Sequence, residues 1–220
     1  MTDNKPNLAI IGGTGKEGPG LAMRWAKRGY RIIIGSRQTE KAQQTATLLN
    51  QTLGVNTITG MENKQAVRQA DICVLTVVYT AHQAVIESLK EGLQGKILVD
   101  ATARVDFRDP KPPPPPSAAR MAQNHLGSGV QVVAAFQNVP AHVLKADIDR
   151  PLSSDVLVCA DDLVVAKEII HLAQAGGMRA YFAGNLDNAV VVEGLTAVLI
   201  QVNKHYKIRN AGINLSGVTD

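Results

Sequence analysis

The stretch AIIGGTGKEG, Ala9–Gly18, constrains this chain more than any other. An apolar run leads into Gly13-x-Gly15-x-x-Gly18, and a helical pattern follows. That order and spacing belong to the turn on which a strand and a helix hold a dinucleotide. Gly13 is expected to permit the tight turn, and Gly15 to let backbone N–H groups approach a pyrophosphate. Gly18 is expected to let the helix pack closely on the sheet. Lys16 and Glu17 share the turn and count as cofactor-contacting positions with the three glycines. Pro19 falls in the first helical turn, where its missing N–H is harmless. The bland alternative is a glycine-rich turn that holds nothing.

The rest of the chain repeats the alternation. Apolar runs at Leu8–Ile11, Arg31–Ile34, Ile72–Val78, Ile97–Val99, Val130–Phe136 and Val156–Cys159 are rich in Val and Ile. They lack polar alternation, as strands covered on both faces should. Helix-compatible segments lie between them, so the pattern predicts an α/β, Rossmann-type doubly wound parallel sheet. A last element, Leu186 to about Tyr206, is apolar nearly all round in its middle. That predicts burial on several sides and contact with a second subunit. The division expected is a nucleotide-binding domain over 1–184 and a small helical C-terminal domain over 185–220, which builds the pocket and a homodimer.

The second strand tells which dinucleotide. About 20 residues past the glycine turn, such units normally carry an acid that binds the adenosine ribose. Here the slot reads GSRQTEK, residues 35–41, with no carboxylate at the strand tip. Ser36 can hydrogen-bond a phosphate oxygen, Arg37 can pair with it, and Lys41 adds a charge from the following helix. The expected ligand is NADP, not NAD. A solvated basic helix start is the alternative.

Composition narrows the partners. The 220 residues are 45% hydrophobic with a net charge of +4, and aromatic residues make up only 4%. Basic residues are scattered, which argues against nucleic acid and for small anionic molecules. The N-terminal stretch does not read as a signal peptide. The most apolar late run, AVVVEGLTAVLIQV, is 14 residues long and carries Glu193, so it reads as too short to span a bilayer. Cys73 and Cys159 lie far apart in strand-like runs, as buried free thiols in a reducing cytoplasm would. Six of the ten prolines fall between Pro110 and Pro116. They form a stiff surface loop or, following a parallel strand, a wall beside the site.

The run IIGGTGKEGPGLAMRWAKRGYRIIIGSRQTEKA closely resembles the start of the NADPH-dependent F420 reductase family, the F420H2:NADP oxidoreductases. ITGMEN (58–63), ADICVLTV (70–77), VCADD (158–162), VEGLTAVLIQVN (192–203) and a C-terminal GINLSG extend the likeness over nearly the whole chain. The resemblance implies an NADP-binding Rossmann domain whose nicotinamide faces coenzyme F420, a deazaflavin, for direct hydride transfer. By position, Thr14, Ser36, Arg37 and Lys41 would hold the 2′-phosphate. Val77, Val78 and Tyr79 would border the nicotinamide, with His82 and Ala103 nearby. AFQNVPA, residues 135–141, would line the deazaflavin through Gln137, Asn138, Val139 and Pro140. Archaeal members place a histidine and a threonine where this chain has Gln137 and Asn138. Either amide can still bond a pyrimidine-like edge.

Hydride transfer between two rings needs alignment more than an acid or base. An alcohol dehydrogenase would need a positioned His, Lys or Tyr. The last helix has no lysine before Lys204, and no histidine pair has metal-ligand spacing. No catalytic side chain and no metal are therefore assigned. Asp161-Asp162 are expected to cap a helix, and Glu193 to be hydrogen-bonded or held at an interface. Two other functions stay open: an NADPH-dependent flavin or ferric reductase, and a non-catalytic NADP-sensing protein.

Overall fold

The computed structural model describes residues 5–146 and 148–218. The N-terminal reading rests in part on residues 1–4, which lie outside them. One eight-stranded sheet organises the chain, in the order β3-β2-β1-β4-β5-β6-β7-β8. The strands are β1 (Leu8–Ile11), β2 (Ile32–Ser36), β3 (Ile58–Glu62), β4 (Ile72–Leu75), β5 (Ile97–Asp100), β6 (Gln131–Ala134), β7 (Val156–Ala160) and β8 (Ala180–Phe182). The helices are α1 (Gly18–Lys27), α2 (Thr39–Leu53), α3 (Asn63–Gln69), α4 (Tyr79–Leu93), α5 (Ala118–Leu126), α6 (Leu163–Ala175) and α7 (Ala189–Tyr206).

The apolar runs become strands because both their faces are covered. Leu8 and Ile10 of β1 pack into a core with Trp25 of α1, Leu49 of α2 and Ile169 of α6. Ala9 and Ile11 point the other way, toward Val67 of α3, Ile86 of α4 and Val192 of α7. β1 pairs in parallel with both β2 and β4. Connections run outward in opposite directions from that pair, and a crevice opens at the carboxyl ends of the strands.

Three features differ from the sequence reading. β3 and β8 were not among the expected strands. β3 has only Ile58 fully buried, and its Gly60 is pressed against α2, where a Cβ would sit 2.3 Å from the Ala42 backbone. An edge strand that meets a helix through a glycine carries little apolar signal. β7 is antiparallel to β6, not parallel. Among the described residues of the chain between them, 135–155, there is no helix, and parallel neighbours need a crossover that is usually one.

The last helix is also longer and less covered than expected. With the short 3-10 turn Leu186–Asn188 it makes 21 residues, long and apolar enough by composition to cross a membrane. The expectation of a run too short for that is corrected on length. One side of α7 packs on the molecule through Ala189, Val192, Glu193, Gly194 and Ala197. The other leaves Val191 65% and Val198 50% exposed, so burial on several sides does not occur within one chain. Beyond α7, the tail is tied back to the sheet: Ile213 O accepts from the Asp155 amide and the Leu215 amide donates to Asp155 Oδ2.

Candidate functional site

The glycine turn is built as the motif requires, with one change of role. The left-handed residue is Gly12, at φ 71°, not Gly13. Gly13 must be glycine because a Cβ there would lie 2.6 Å from the Ile10 carbonyl oxygen. Gly18 must be glycine because its Cβ would lie 2.6 Å from Gly13 Cα, so helix and turn touch backbone to backbone. Gly15 is different. Its Cβ would come no nearer than 3.4 Å to any protein atom, so packing does not demand a glycine. The room is on the cleft side, where a pyrophosphate would approach. The turn fits a dinucleotide.

The turn opens into one continuous cleft of about 1540 Å³. A site for one small ligand usually falls between about 300 and 1,000 Å³, so this cleft has room for more than one. At one end stand Ser36, Arg37 and Lys41. Ser36 is buried, and its hydroxyl accepts the Gln38 amide at 3.2 Å. Arg37 and Lys41 are exposed, and among the described residues no ion pair involves either. A hydroxyl between two uncommitted cations suits a phosphate. Asn63, at the start of α3, also lines this end. Its Oδ1 lies 3.5 Å from the Gly12 amide, a contact that ITGMEN carried in sequence without revealing it.

At the other end, Val77, Val78, Tyr79, Ala103, Gln137 and Asn138 line the cleft, with Val139 and Pro140 following. Thr14, Gly15, Lys16 and Glu17 line it between the two ends, while Gly13 and Gly18 support the turn from behind. Phe136 aims the two amides. It is fully buried at φ 77°, a backbone conformation that bulky residues seldom adopt. Its ring is held in the core by an edge contact with Trp25, centroids 5.9 Å apart. Strain of this kind persists where packing over-determines it, often beside a functional site.

The amides are less free than the sequence suggests. Gln137 Nε2 donates to the Asp100 carbonyl at 2.8 Å, and Asn138 Nδ2 donates to the Asp155 carbonyl at 2.7 Å. Their side-chain oxygens are buried without a partner. Each amide thus spends a donor inside the protein and keeps an acceptor unused. Thr196 of α7 bonds the Gln137 carbonyl oxygen at 2.8 Å, which joins the last helix to this turn.

His82 does not line the cleft. It is buried in the first turn of α4, its Nε2 2.6 Å from Asp100 Oδ2. The other Asp100 oxygen accepts the Thr102 amide at 2.9 Å. Asp100 therefore braces the ends of β5 and α4 instead of facing a ligand, and its carbonyl holds Gln137. Glu17 looks toward the same place from the glycine turn. Its Oε1 is sealed from solvent with no hydrogen-bond partner. Burial, and then the Asp100 carboxylate, push its pKa up to about 8. Among the described residues, no three His, Cys, Asp or Glu side chains could hold a metal ion together.

The segment after β5 completes the wall. Val105, Phe107 and Arg108 line the cleft, and the prolines that follow run over α7, with Pro112 against Gly194. Arg104 binds Glu193 at 3.0 Å and the Pro114 carbonyl at 2.6 Å. Glu193 also accepts the Ala118 amide at the start of α5. The proline run signalled stiffness, but not which side of the segment would face the cleft. Of the two aspartates expected as a cap, Asp162 accepts the Val164 and Val165 amides of α6. Asp161 instead pairs with Arg120.

Comparison with known proteins agrees with this geometry. A model of the NADP oxidoreductase, coenzyme F420-dependent family matches residues 7–104. The chain is 41% identical to the F420-dependent NADP reductase of Methanocaldococcus jannaschii, over 96% of this chain and 98% of that one. It is 34% identical to the protein of the same name from Methanothermobacter thermautotrophicus, over 97% and 96% of the two chains. A crystal structure from Arthrobacter shares the fold at a TM-score of 0.80 and 23% identity, over 96% of this chain and 100% of that one. The chain belongs to the F420-dependent NADP reductase family.

Proposed function

We propose that this protein is an oxidoreductase that moves a hydride between NADP(H) and the deazaflavin coenzyme F420, both held in the single cleft. One observation carries the proposal: the cleft runs unbroken from an anion-ready strand tip, past a glycine turn, to a wall formed by Val77, Tyr79, Gln137 and Asn138. NADP supplies a hydride acceptor or donor at its nicotinamide, and the deazaflavin supplies the other.

The chain's own part is binding, orientation and exclusion of water. Thr14, Gly15 and Lys16 would meet the pyrophosphate, and Ser36, Arg37 and Lys41 the 2′-phosphate. Val77, Val78, Tyr79 and Ala103 would shape the nicotinamide end. Gln137 and Asn138 would border the edge of the deazaflavin, and Val139 and Pro140 would keep water from its face. His82 and Gly13 act through their neighbours, by bracing Asp100 and by closing the turn. Alignment of two rings in a dry cleft needs no side chain as obligatory acid or base.

Residues 185–220 would serve as a small C-terminal unit that closes the cleft with Thr196 and pairs two chains through the exposed side of α7. The setting proposed is cytoplasmic. The test mixes NADPH with oxidised F420 and follows loss of the deazaflavin's visible absorbance, with FMN, FAD and ferric chelates in parallel. Turnover of FMN or ferric iron without turnover of F420 would replace this function by a flavin or ferric reductase. Tight NADPH binding without oxidation by any acceptor would replace it by an NADP sensor.

A further inference from the structure

Three buried polar atoms near the end of β5 have no hydrogen-bond partner: Glu17 Oε1, Thr102 Oγ1 and Gln137 Oε1. All three side chains belong to the surroundings of Asp100. Thr102 gives Asp100 its amide, Gln137 gives it a side-chain N–H, and Glu17 feels its charge. Buried polar atoms are seldom left unpaired, and those that are call for a reason. A carboxyl group is the most costly of the three to leave so. Glu17 is also the one that lines the cleft as a titratable group, in the turn between the strand tip of β2 and the ends of β4 and β5.

A dinucleotide laid across this crevice has its adenosine over the β2 side and its nicotinamide over the β4–β5 side. Asp100 ends β5 on the second side, and Glu17, in the turn between the two ends, lies near enough to feel its charge. The two redox forms of the nicotinamide ring differ there by one positive charge. We propose that Glu17 reads that charge: its carboxyl is ionised beside the cationic oxidised ring and protonated beside the neutral reduced ring. NADP⁺ binding then releases a proton from Glu17 Oε to the solvent, while NADPH binding releases none.

The groups around Glu17 favour such a response. Asp100, on β5, is already paired with His82 of α4 and disfavours a second negative charge. Thr102 and Gln137 are neutral. Lys16, its neighbour in the turn, is exposed, and Arg104 is engaged by Glu193, which itself feels Asp100. No cation among the described residues is paired with Glu17, so the charge able to settle its ionised form must come from the ligand. Burial and Asp100 hold the proton near neutral pH, where a modest bias moves it.

The inference rests on the NADP site proposed above, and its test separates the two. Dissociation constants for NADP⁺ and NADPH are measured by calorimetry from pH 6 to pH 9, in two buffers of different ionisation enthalpy. The 2′-phosphate and pyrophosphate are common to both forms, so their titration cancels in the ratio of affinities. In wild type, NADP⁺ should tighten relative to NADPH by about three- to tenfold per pH unit between pH 6 and pH 8, then level off. At pH 7, NADP⁺ binding should release close to one proton per site. In Glu17→Gln the ratio should be flat, NADP⁺ should release no more protons than NADPH does, and NADP⁺ should weaken at pH 9 while NADPH does not. A flat ratio in wild type, or an unchanged slope in Glu17→Gln, overturns the role of Glu17 and leaves the site intact. Failure of wild type to bind either nucleotide overturns the site itself.

Discussion

Arg104 Nε donates to Glu193 Oε2 at 3.0 Å, and both groups are withdrawn from solvent. The pair fastens the segment after β5 to the last helix. Arg104 also lies over the Tyr79 ring, 5.9 Å from its centroid, so one guanidinium links three walls of the cleft. Burial raises the pKa of the Glu193 carboxyl above its ordinary value, while the Ala118 amide and Arg104 oppose that. The helix is thus docked by a buried charge and not by apolar packing alone. Removing one partner of such a pair usually costs about 3–5 kcal/mol, because the other charge stays buried. Glu193→Ala should therefore lower the melting temperature by more than 5 °C and weaken NADPH and deazaflavin binding together. An unchanged melting temperature would show that the pair does not dock α7.

Glu17 gives a pH signature to stability without nucleotide. Its folded pKa, about 8, lies above the ordinary value of 4.5. Between those values the folded state binds more protons than the unfolded one, so stability falls as pH rises. The loss saturates above pH 8 and is on the order of 3–5 kcal/mol. Glu17→Gln should melt close to wild type at pH 5 and higher than wild type at pH 8.5. Equal melting temperatures at both pH values would contradict the burial of a proton on Glu17.

Much of this was legible in advance, and the reasons differ by residue. The glycine turn and the SR pair could be read because backbone approach and phosphate charge each restrict residue type. Gly12 as the left-handed residue was missed, since a GG pair does not tell which member bends. β3 escaped because Gly60 replaces the apolar residue a strand would show. The antiparallel β7 was hinted at by the missing helix between Phe136 and Val156. Glu17, His82 and Asp100 are far apart in sequence, and only the ends of β1, β4 and β5 bring them together. The cleft wall from Val105 to Arg108 has no pattern of its own.

The two inner glycines should separate binding from folding. Gly15→Val places its Cβ in ordinary van der Waals contact, 3.4 Å from the Gly12 carbonyl oxygen, so the fold should keep its melting temperature within a few degrees while nucleotide binding is lost. Gly18→Ala forces a Cβ to 2.6 Å from Gly13 Cα and should destabilise by about 1–3 kcal/mol. Circular dichroism melts with a nucleotide titration distinguish them. A Gly15→Val variant that binds NADPH like wild type would remove the pyrophosphate from this turn.

Nucleotide choice should follow the strand tip. Each charge-assisted phosphate contact is worth about 1.5–3 kcal/mol, so Arg37→Ala with Lys41→Ala should weaken NADPH well over tenfold. NADH affinity should hardly change. Equal affinity of wild type for NADH and NADPH would contradict the assignment.

The exposed side of α7 should carry self-association. Val191 and Val198 lie on that side, whereas Leu199 lines the cleft, so Val198 is the residue to change. Val198→Glu should convert a dimer to a folded monomer, because a charge buried at an apolar contact is expensive. Light scattering at micromolar concentration decides it. A monomeric wild type would contradict the dimer.

Ring-to-ring transfer is tested most directly by following the hydrogen itself. NADPH carrying deuterium at the transferred position is mixed with oxidised F420 in ordinary water, and the reduced deazaflavin is weighed by mass spectrometry. Transfer within one closed cleft predicts that the product retains the deuterium and that none reaches the solvent. Loss of the label to water, or oxidation of NADPH without reduction of the deazaflavin, would contradict it.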